Sequence, residues 1–455
     1  MRGVAVVGNG VVGSVVAGCF AWLGRTVVGV EADSAKLAGL RSGTAPAYED
    51  GLDELLAAGI AAGRLRFTDD LDDALASSSL VFVCVGSGEE AIGVSRRVLA
   101  AGGDHIVVVK STLPIGTTRR LVPARVVCNP EFLRQGRAVG DFLHPDRVVL
   151  GGDDPAAIDV VADLYRPVLE QTVPGRRPAP RPVLVRTSIE AAEMIKHAAN
   201  AFLALKVSYA NEIANICAAG GVDVRDVTEA VGLDPRIGPA HLSAGLGWGG
   251  SCLGKDLGGL IDAARALGYE PRLLAEAAGV NDRQRRLAVS KLATHLGTLA
   301  GRRICLLGLA FKPGTDDLRD APALAIADEL AAAGADVTAY DPVVRAVAGR
   351  PALRVMADPY GAAAGADAVV LVTEWPEFPL LDFAELRRRM RGDLLVDGRN
   401  VLAGVDVGAA GFVYDSFGAA PDGRRLRPVR TRAITPTTEV SSVVETPRRS
   451  QASPR

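Results

Sequence analysis

One short segment constrains this chain more than any other. Gly8-Asn-Gly10-Val11-Val12-Gly13 stands directly behind the apolar run Val4 to Val7 and opens a helical pattern, and Glu31 closes the next β-branched run 18 residues after Gly13. The first glycine allows a tight turn, the second lets a pyrophosphate approach the backbone at the helix N-terminus, and the third lets helix and strand pack closely. A carboxylate at position 31 can accept two ribose hydroxyls and disfavours a 2′-phosphate, so the segment predicts a βαβ unit that binds NAD rather than NADP.

Similar alternation continues through Thr26 to Val30, Leu80 to Val85, Ile106 to Val109 and Val148 to Leu150, which predicts a parallel sheet covered by helices. Gly3 to Gly24 is an uncharged stretch of 22 residues behind Arg2, and Val16-Ala17-Gly18-Cys19 within it imitates a lipoprotein cleavage site. Its glycines weaken a spanning helix and suit a strand, turn and helix, so a buried βα unit is expected and no membrane segment. Four prolines between Gln171 and Val183 read as a linker or surface loop, with a domain boundary there. Thr187-Ser-Ile-Glu190 reads as a capping box ahead of a long helical pattern that ends at Gly220 and Gly221. A second βαβ pattern runs from Arg303-Ile-Cys-Leu-Leu-Gly-Leu309 through Ala321 to Ala333 to Val337-Thr-Ala-Tyr-Asp341, with further strands at Ala368 to Val372 and Leu394 to Val396.

The expected architecture is therefore α/β: two Rossmann-like doubly wound parallel-sheet domains, 1–187 and 299–420, joined by a central helical domain, 188–298, with a long spine helix. Residues 421–455 hold eight arginines, five prolines and three acids and read as a disordered tail. The formal charge of −2 argues against non-specific nucleic-acid binding, which needs a basic excess. Six scattered cysteines without a CxxC pair indicate neither a disulfide framework nor a metal site, and fit a reduced, cytoplasmic compartment.

Chemistry concentrates in three further places. The glycine-rich stretch Gly245 to Gly250 leads into Ser251-Cys252-Leu253-Gly254-Lys255-Asp256, with a lone thiol beside an ammonium that favours its ionisation and a carboxylate that opposes it. Taken alone, such a cysteine more often packs as a small hydrophobe. Lys196 and Asn200, spaced i and i+4, place an ammonium and an amide on one helix face, where they can stabilise an oxyanion or form a solvated stripe. Lys110-Ser-Thr112 and Asn129-Pro-Glu131 follow predicted strands, at the ends where open α/β sheets bind ligands.

With these residues in view the chain resembles the UDP-glucose/GDP-mannose dehydrogenase family over about 3–418. The resemblance is carried by GNGVVG at 8–13, AYEDGLDELL at 47–56, KSTLPIGTT at 110–118, NPEFLRQG at 129–136, KHAANAFLALK at 196–206, DPRIG at 234–238, GWGGSCLGKD at 247–256, GLAFKPGTDDLRDAP at 308–322 and VDGRN at 396–400. It implies four-electron oxidation of a sugar C6 alcohol to a carboxylate with two NAD in succession, through a thiohemiacetal and a thioester on Cys252. Lys196 and Asn200 would support the oxyanion, and Asp256, Thr112 and Glu131 would handle water and protons. NAD contacts fall to Gly8, Gly10, Val11, Val12, Gly13, Glu31, Lys36, Ser87, Thr112 and Arg319. Nucleotide-sugar contacts fall to Glu131, Phe132, Leu133, Lys196, Asn200, Arg236, Gly249, Lys312 and Arg399, and the middle helices imply a homodimer or higher homo-oligomer.

The chain departs from the family pattern at Gln135, where many relatives carry Glu, at Leu253 and Gly254 in place of Phe and Pro, and at Val85-Gly-Ser-Gly-Glu-Glu90. UDP-glucose is the expected substrate. GDP-mannose, another nucleotide sugar, or a catalytically weak NAD and nucleotide-sugar binder stand as the alternatives.

Overall fold

Short valine- and leucine-rich runs build two sheets that helices cover on both faces. The computed structural model describes residues 3–121, 125–177 and 179–419. The first sheet holds β1 (Val4–Val7), β2 (Val27–Val30), β3 (Leu65–Thr68), β4 (Leu80–Val83), β5 (Ile106–Val109), β6 (Val126–Cys128), β7 (Arg147–Gly151) and β8 (Val183–Thr187). Their spatial order is β3-β2-β1-β4-β5-β6-β7-β8. Neighbours run parallel except β6 and β7, which meet antiparallel at Cys128 and Gly151. Strands β1, β2, β4 and β5 are buried at every position, as parallel strands between two helical layers must be.

Strand β8 decides between two readings. It pairs with β7 over five residues, so the proline-rich stretch, read as a linker or surface loop, is a loop that connects strands within the first sheet. Its residues are exposed or half-buried, the pattern of an edge strand, which tolerates prolines close by. Strand β6 is the run expected ahead of Asn129, whereas β3, four residues long, has no counterpart among the expected strands.

The spine helix runs over Ile189–Gly220, 32 residues, and ends on the left-handed Gly221 at φ 68°. Its cap differs from the expected box by one residue. Ser188 Oγ accepts from Ala191 N at 3.2 Å, and Glu190 turns away to pair with Arg119 at 2.6 and 2.9 Å. Ala201, Ala204 and Ser208 form a small-residue face against Trp248 and the helix Leu253–Ala266, and the helix Arg272–Leu296 packs beside them. The segment 233–252 carries no helix, so the mostly helical domain expected over 188–298 includes a loop beside the spine that holds the glycine-rich stretch.

The second sheet comprises β9 (Arg303–Leu307), β10 (Asp336–Tyr340), β11 (Leu353–Val355), β12 (Ala368–Leu371), β13 (Leu394–Asp397) and β14 (Val413–Ser416), all parallel in the order β11-β10-β9-β12-β13-β14. In each sheet the chain order reverses beside the first strand, between β1 and β4 and between β9 and β12, and ligands bind at the strand C-termini there. The expected tail, 421–455, lies outside the described residues.

Candidate active site

Four segments converge on the spine helix. Lys196 and Asn200 face inward, at 3% and 8% exposure, so they form no solvated stripe. Lys196 Nζ lies 2.9 Å from Glu131 Oε1 and 4.0 Å from Asp256 Oδ2, and Asn200 Nδ2 donates to Asp256 Oδ2 at 2.5 Å. Glu131 Oε2 accepts from Leu133 N at 2.7 Å. Burial alone would lift the Glu131 carboxyl, but the Lys196 ammonium opposite it dominates and holds it below the ordinary carboxylate range. Burial opposes the Lys196 charge in turn, and Glu131 outweighs that and raises it. The two form an ionised pair in a dry site.

Cys252 is exposed and occupies the N-cap position of the helix Leu253–Ala266; its carbonyl accepts from Asp256 N at 2.9 Å. The thiol and the Asp256 carboxylate thus share one helical turn, with the thiol at the mouth and the carboxylate at the base. Asp256 is 1% exposed, and its Oδ1 accepts no hydrogen bond, which suits it to receive one from a substrate hydroxyl or water. Lys255 is exposed and lies 3.7 Å from Asp256 Oδ1.

The loop that carries the thiol is held through its backbone. Asn281 Oδ1 accepts from Trp248 N at 2.8 Å and Nδ2 donates to Trp248 O at 3.1 Å, while Trp248 Nε1 donates to Ser208 Oγ at 3.1 Å. Arg285 donates to Trp248 O at 2.7 Å and to both Asp320 carboxylate oxygens at 2.6 and 3.0 Å. The segment after Lys110 is tied down similarly. Glu193 accepts from Gly116 N and Thr118 N at 2.5 and 2.8 Å, and the His197 ring nitrogens lie 2.8 Å from Leu113 O and 3.2 Å from Asp256 O. These contacts bring half-buried Thr112 alongside the spine helix. Phe132 lies between two cations, with its ring centre 3.9 Å from the Arg147 guanidinium carbon and 5.6 Å from Lys196 Nζ.

Residues from the second sheet's domain reach the same region. Lys312 Nζ donates to Gln135 O at 2.5 Å, and Arg399 donates to Gly247 O at 2.8 Å and Val372 O at 2.7 Å. The Gln135 side chain helps hold the Asp317 carboxyl below its ordinary range, where a glutamate would meet a like charge, and Arg319 pairs with Asp317 at 2.6 Å. Glu49 spans the opposite side, its carboxylate accepting from Gly136 N at 2.8 Å and Ala138 N at 2.5 Å. Gly136, at φ 80°, passes so close to the second domain that a Cβ there would lie 2.3 Å from Gly314 O. Gly249 is as tight, 2.3 Å from Asp320 O by the same measure. Arg236 stands apart: its side chain is 86% exposed and pairs with Asp234 at 2.6 Å.

At the end of β1, a Cβ on Gly13 would meet Gly8 O at 1.9 Å, so only glycine permits this helix to pack on the turn. A Cβ on Gly10 would meet nothing within 4 Å, which leaves the helix N-terminus open to a pyrophosphate. Glu31 accepts from Asn9 N at 2.9 Å and Asp33 N at 3.0 Å, which fixes its carboxylate at the end of β2. Ser87 caps the helix Gly88–Ala100 after β4, accepting from Glu90 N at 3.2 Å, and Lys36 is exposed on the helix Ser34–Arg41.

Three models of one family match in chain order: the UDP-glucose/GDP-mannose dehydrogenase NAD binding domain over 2–169, its central domain over 190–283 and its UDP binding domain over 305–404. The chain belongs to this family. Its cofactor is NAD, and the turn at 8–13 with Glu31 fits that group. The chain is similar to the UDP-glucose 6-dehydrogenase of Rhizobium meliloti, 42% identical over 91% of this chain and 99% of the relative. The UDP-glucose 6-dehydrogenase of Haloferax volcanii is 41% identical over 88% and 96%. Among solved structures, a UDP-glucose dehydrogenase of Pyrobaculum islandicum superposes with a TM-score of 0.82 at 37% identity, covering 92% of this chain and 98% of that one.

Sequence reasoning found the thiol, the ammonium, the amide and the carboxylates, but gave no role to Lys110, Glu49, His197, Asn281 or Arg285. The first three stand inside recognised blocks, and only that membership could have singled them out. The others mostly bind backbone atoms, which no residue pattern displays.

Proposed function

We propose that this chain oxidises UDP-glucose to UDP-glucuronate in two NAD-dependent steps, with Cys252 as the nucleophile. The reading rests chiefly on one arrangement: an exposed thiol one helical turn from Asp256, with Asp256, Asn200, Lys196 and Glu131 in continuous buried contact. Names borne by relatives such as that of Rhizobium meliloti supply the substrate.

Bound NAD supplies the hydride acceptor in each oxidation. In the first, a C6 hydride leaves while the hydroxyl loses its proton toward the Asp256 side, where Oδ1 accepts no hydrogen bond and Lys255 stands 3.7 Å away. The resulting aldehyde is captured by the Cys252 sulfur as a thiohemiacetal. Loss of a second hydride and the hydroxyl proton gives a thioester, and water then adds at the carbonyl carbon, breaking the C–S bond and regenerating the thiol. The balance is one alcohol, two NAD and one water to one carboxylate, two NADH and three protons. Negative charge developing on the C6 oxygen is met by Lys196 and Asn200, which hydrogen bonds already hold in place. Glu131 and Thr112 bound the space the water must use, Phe132, Leu133 and Gly249 wall the sugar, and Lys312 and Arg399 answer the diphosphate.

The reading extends to a cytoplasmic homodimer. The six cysteines are all free, and among the described residues no helix is long and apolar enough to cross a membrane. Phe202, Tyr209 and Ile216 stand 60%, 49% and 63% exposed along the spine helix. Spaced by sevens, they share one face.

The test is incubation of the pure protein with UDP-glucose and NAD, with NADH counted against UDP-glucuronate by mass spectrometry. About two NADH per sugar are expected, and Cys252→Ala should form no carboxylate. Turnover of GDP-mannose or a UDP-N-acetyl sugar alone would reassign the substrate, and no NADH with any nucleotide sugar would leave only a binding role.

A further inference from the structure

Behind the ionised pair lies a charge that the mechanism above does not use. Lys110 follows β5 and is 5% exposed. Its Nζ donates to Asn129 Oδ1 at 3.0 Å and to Tyr165 Oη at 3.4 Å, and lies 5.9 Å from the centre of the Tyr165 ring. Tyr165 Oη donates to the same Asn129 oxygen at 2.7 Å, and Asn129 Nδ2 donates to Val149 O at 2.9 Å. Both partners of the ammonium are neutral, and among the described residues it forms no ion pair. Burying a cation on neutral partners is costly, and an apolar side chain would fill the same place without that cost.

The position suggests what the charge does. Asn129, which Lys110 grips, begins the Asn129-Pro-Glu131 turn, and Asn129 N donates to Val109 O at 2.8 Å, next to Lys110 itself. The charged and titratable groups around the ammonium are Glu131 and Lys196 on the active-site side, the thiols of Cys84 and Cys128 on flanking strands, and Tyr165. Only Glu131 among them is a carboxylate.

We propose that Lys110 is a positioning residue for Glu131: through Asn129 it fixes the turn that presents the carboxylate, and its charge holds that carboxylate ionised from behind while Lys196 does so in front. Two electrostatic effects agree with the geometry. Lys110 is among the groups that draw the Glu131 carboxyl down, and burial pushes Lys110 itself down to about 8, so its charge is present at neutral pH and fades above it.

The role rests on the catalytic reading of Glu131, so the decisive measurement is one that needs no turnover. Difference infrared spectra of the full chain against Glu131→Gln isolate the Glu131 carboxyl band, whose titration midpoint is then followed in Lys110→Met and in Asn129→Asp. The second variant is isosteric and neutralises the ammonium locally should the first fail to fold. In either variant the midpoint should rise by at least about half a pH unit. Where UDP-glucose is turned over, kcat should fall about tenfold with KM changed less than about threefold, and the acid limb of kcat should move up with the midpoint. A folded variant whose Glu131 midpoint stays in place overturns the proposal, whatever its activity. An absence of turnover in the unaltered protein overturns only the catalytic reading.

Discussion

Asn281 holds Trp248 by both ends of its backbone: the carboxamide oxygen accepts from the Trp248 N–H and the carboxamide nitrogen donates to the Trp248 carbonyl. The side chain acts as a short strand partner for a loop that has none, four residues before the nucleophile. Replacing Asn281 by Ala leaves two buried backbone groups with fewer partners, at about 1–3 kcal/mol each when unsatisfied. Asn281→Ala should lower the unfolding midpoint and cut kcat by at least about tenfold, read by calorimetry and NADH formation. Asn281→Asp keeps one of the two bonds and should fall between.

Lys196 compensates Glu131 at 2.9 Å, and its removal strands a buried carboxylate. Lys196→Met should destabilise the fold by about 3–5 kcal/mol at pH 7. The pH dependence has a definite sign. In the native protein Glu131 is held below its ordinary value of 4.5, so its stabilising contribution is complete above that pH and is lost as pH falls through the lowered value. In the variant, burial without the cation raises the same carboxyl, and protonation on acidification relieves the cost. Urea unfolding from pH 7 to pH 4 should therefore show the gap between native and variant narrowing; a constant gap would contradict the ionised pair.

Arg285 joins the Cys252 loop to the second sheet's domain through Trp248 O and Asp320. Asp320, at φ 50°, is held in a left-handed conformation beside Arg319. Arg285→Lys keeps the charge but not the planar fork that serves both carboxylate oxygens and a carbonyl at once. Lysine is thus expected to rescue little: both Arg285→Lys and Arg285→Met should lose about tenfold or more in kcat/KM, with about 1–2 kcal/mol of stability after allowance for the part-exposed Asp320.

The exposed apolar row on the spine helix predicts an assembly. Glutamates at Phe202 and Ile216, both on the outer face, should convert a dimer to monomer in sedimentation velocity while leaving the far-ultraviolet dichroism unchanged. Native protein that sediments as a monomer would refute the homodimer.

How much of this was legible in the sequence depended on which atoms do the work. The turn at Gly8 to Gly13 and the carboxylate at Glu31 were readable because their chemistry is local and made of residue types. The i, i+4 spacing of Lys196 and Asn200 gave a shared face but not its burial, which depends on Glu131 and Asp256 arriving from distant segments. Closeness in sequence sets Lys255 near both the thiol and Asp256, and only the fold shows that its ammonium lies 3.7 Å from the Asp256 carboxylate. Strand β8 was hidden by the prolines before it, since an edge strand lacks the fully apolar run that marks a central one. Asn281 and Arg285 could not be read at all, because a backbone carbonyl looks the same at every position.

The close approaches at Gly136 and Gly249 have a consequence for how such a cleft can change. At both seams main chain meets main chain, and an added carbon would stand only 2.3 Å from a carbonyl oxygen, closer than the two atoms can pack. The spacing at these two seams is therefore set by polypeptide rather than by side chains. On the proposed function, substitutions at Phe132, Leu133 or Leu253 change what the sugar meets without touching these seams, whereas any side chain at either glycine would push the second sheet's domain away from Gly136 or Gly249. Selectivity and aperture are in this protein separate mutational dials, and only the first turns freely.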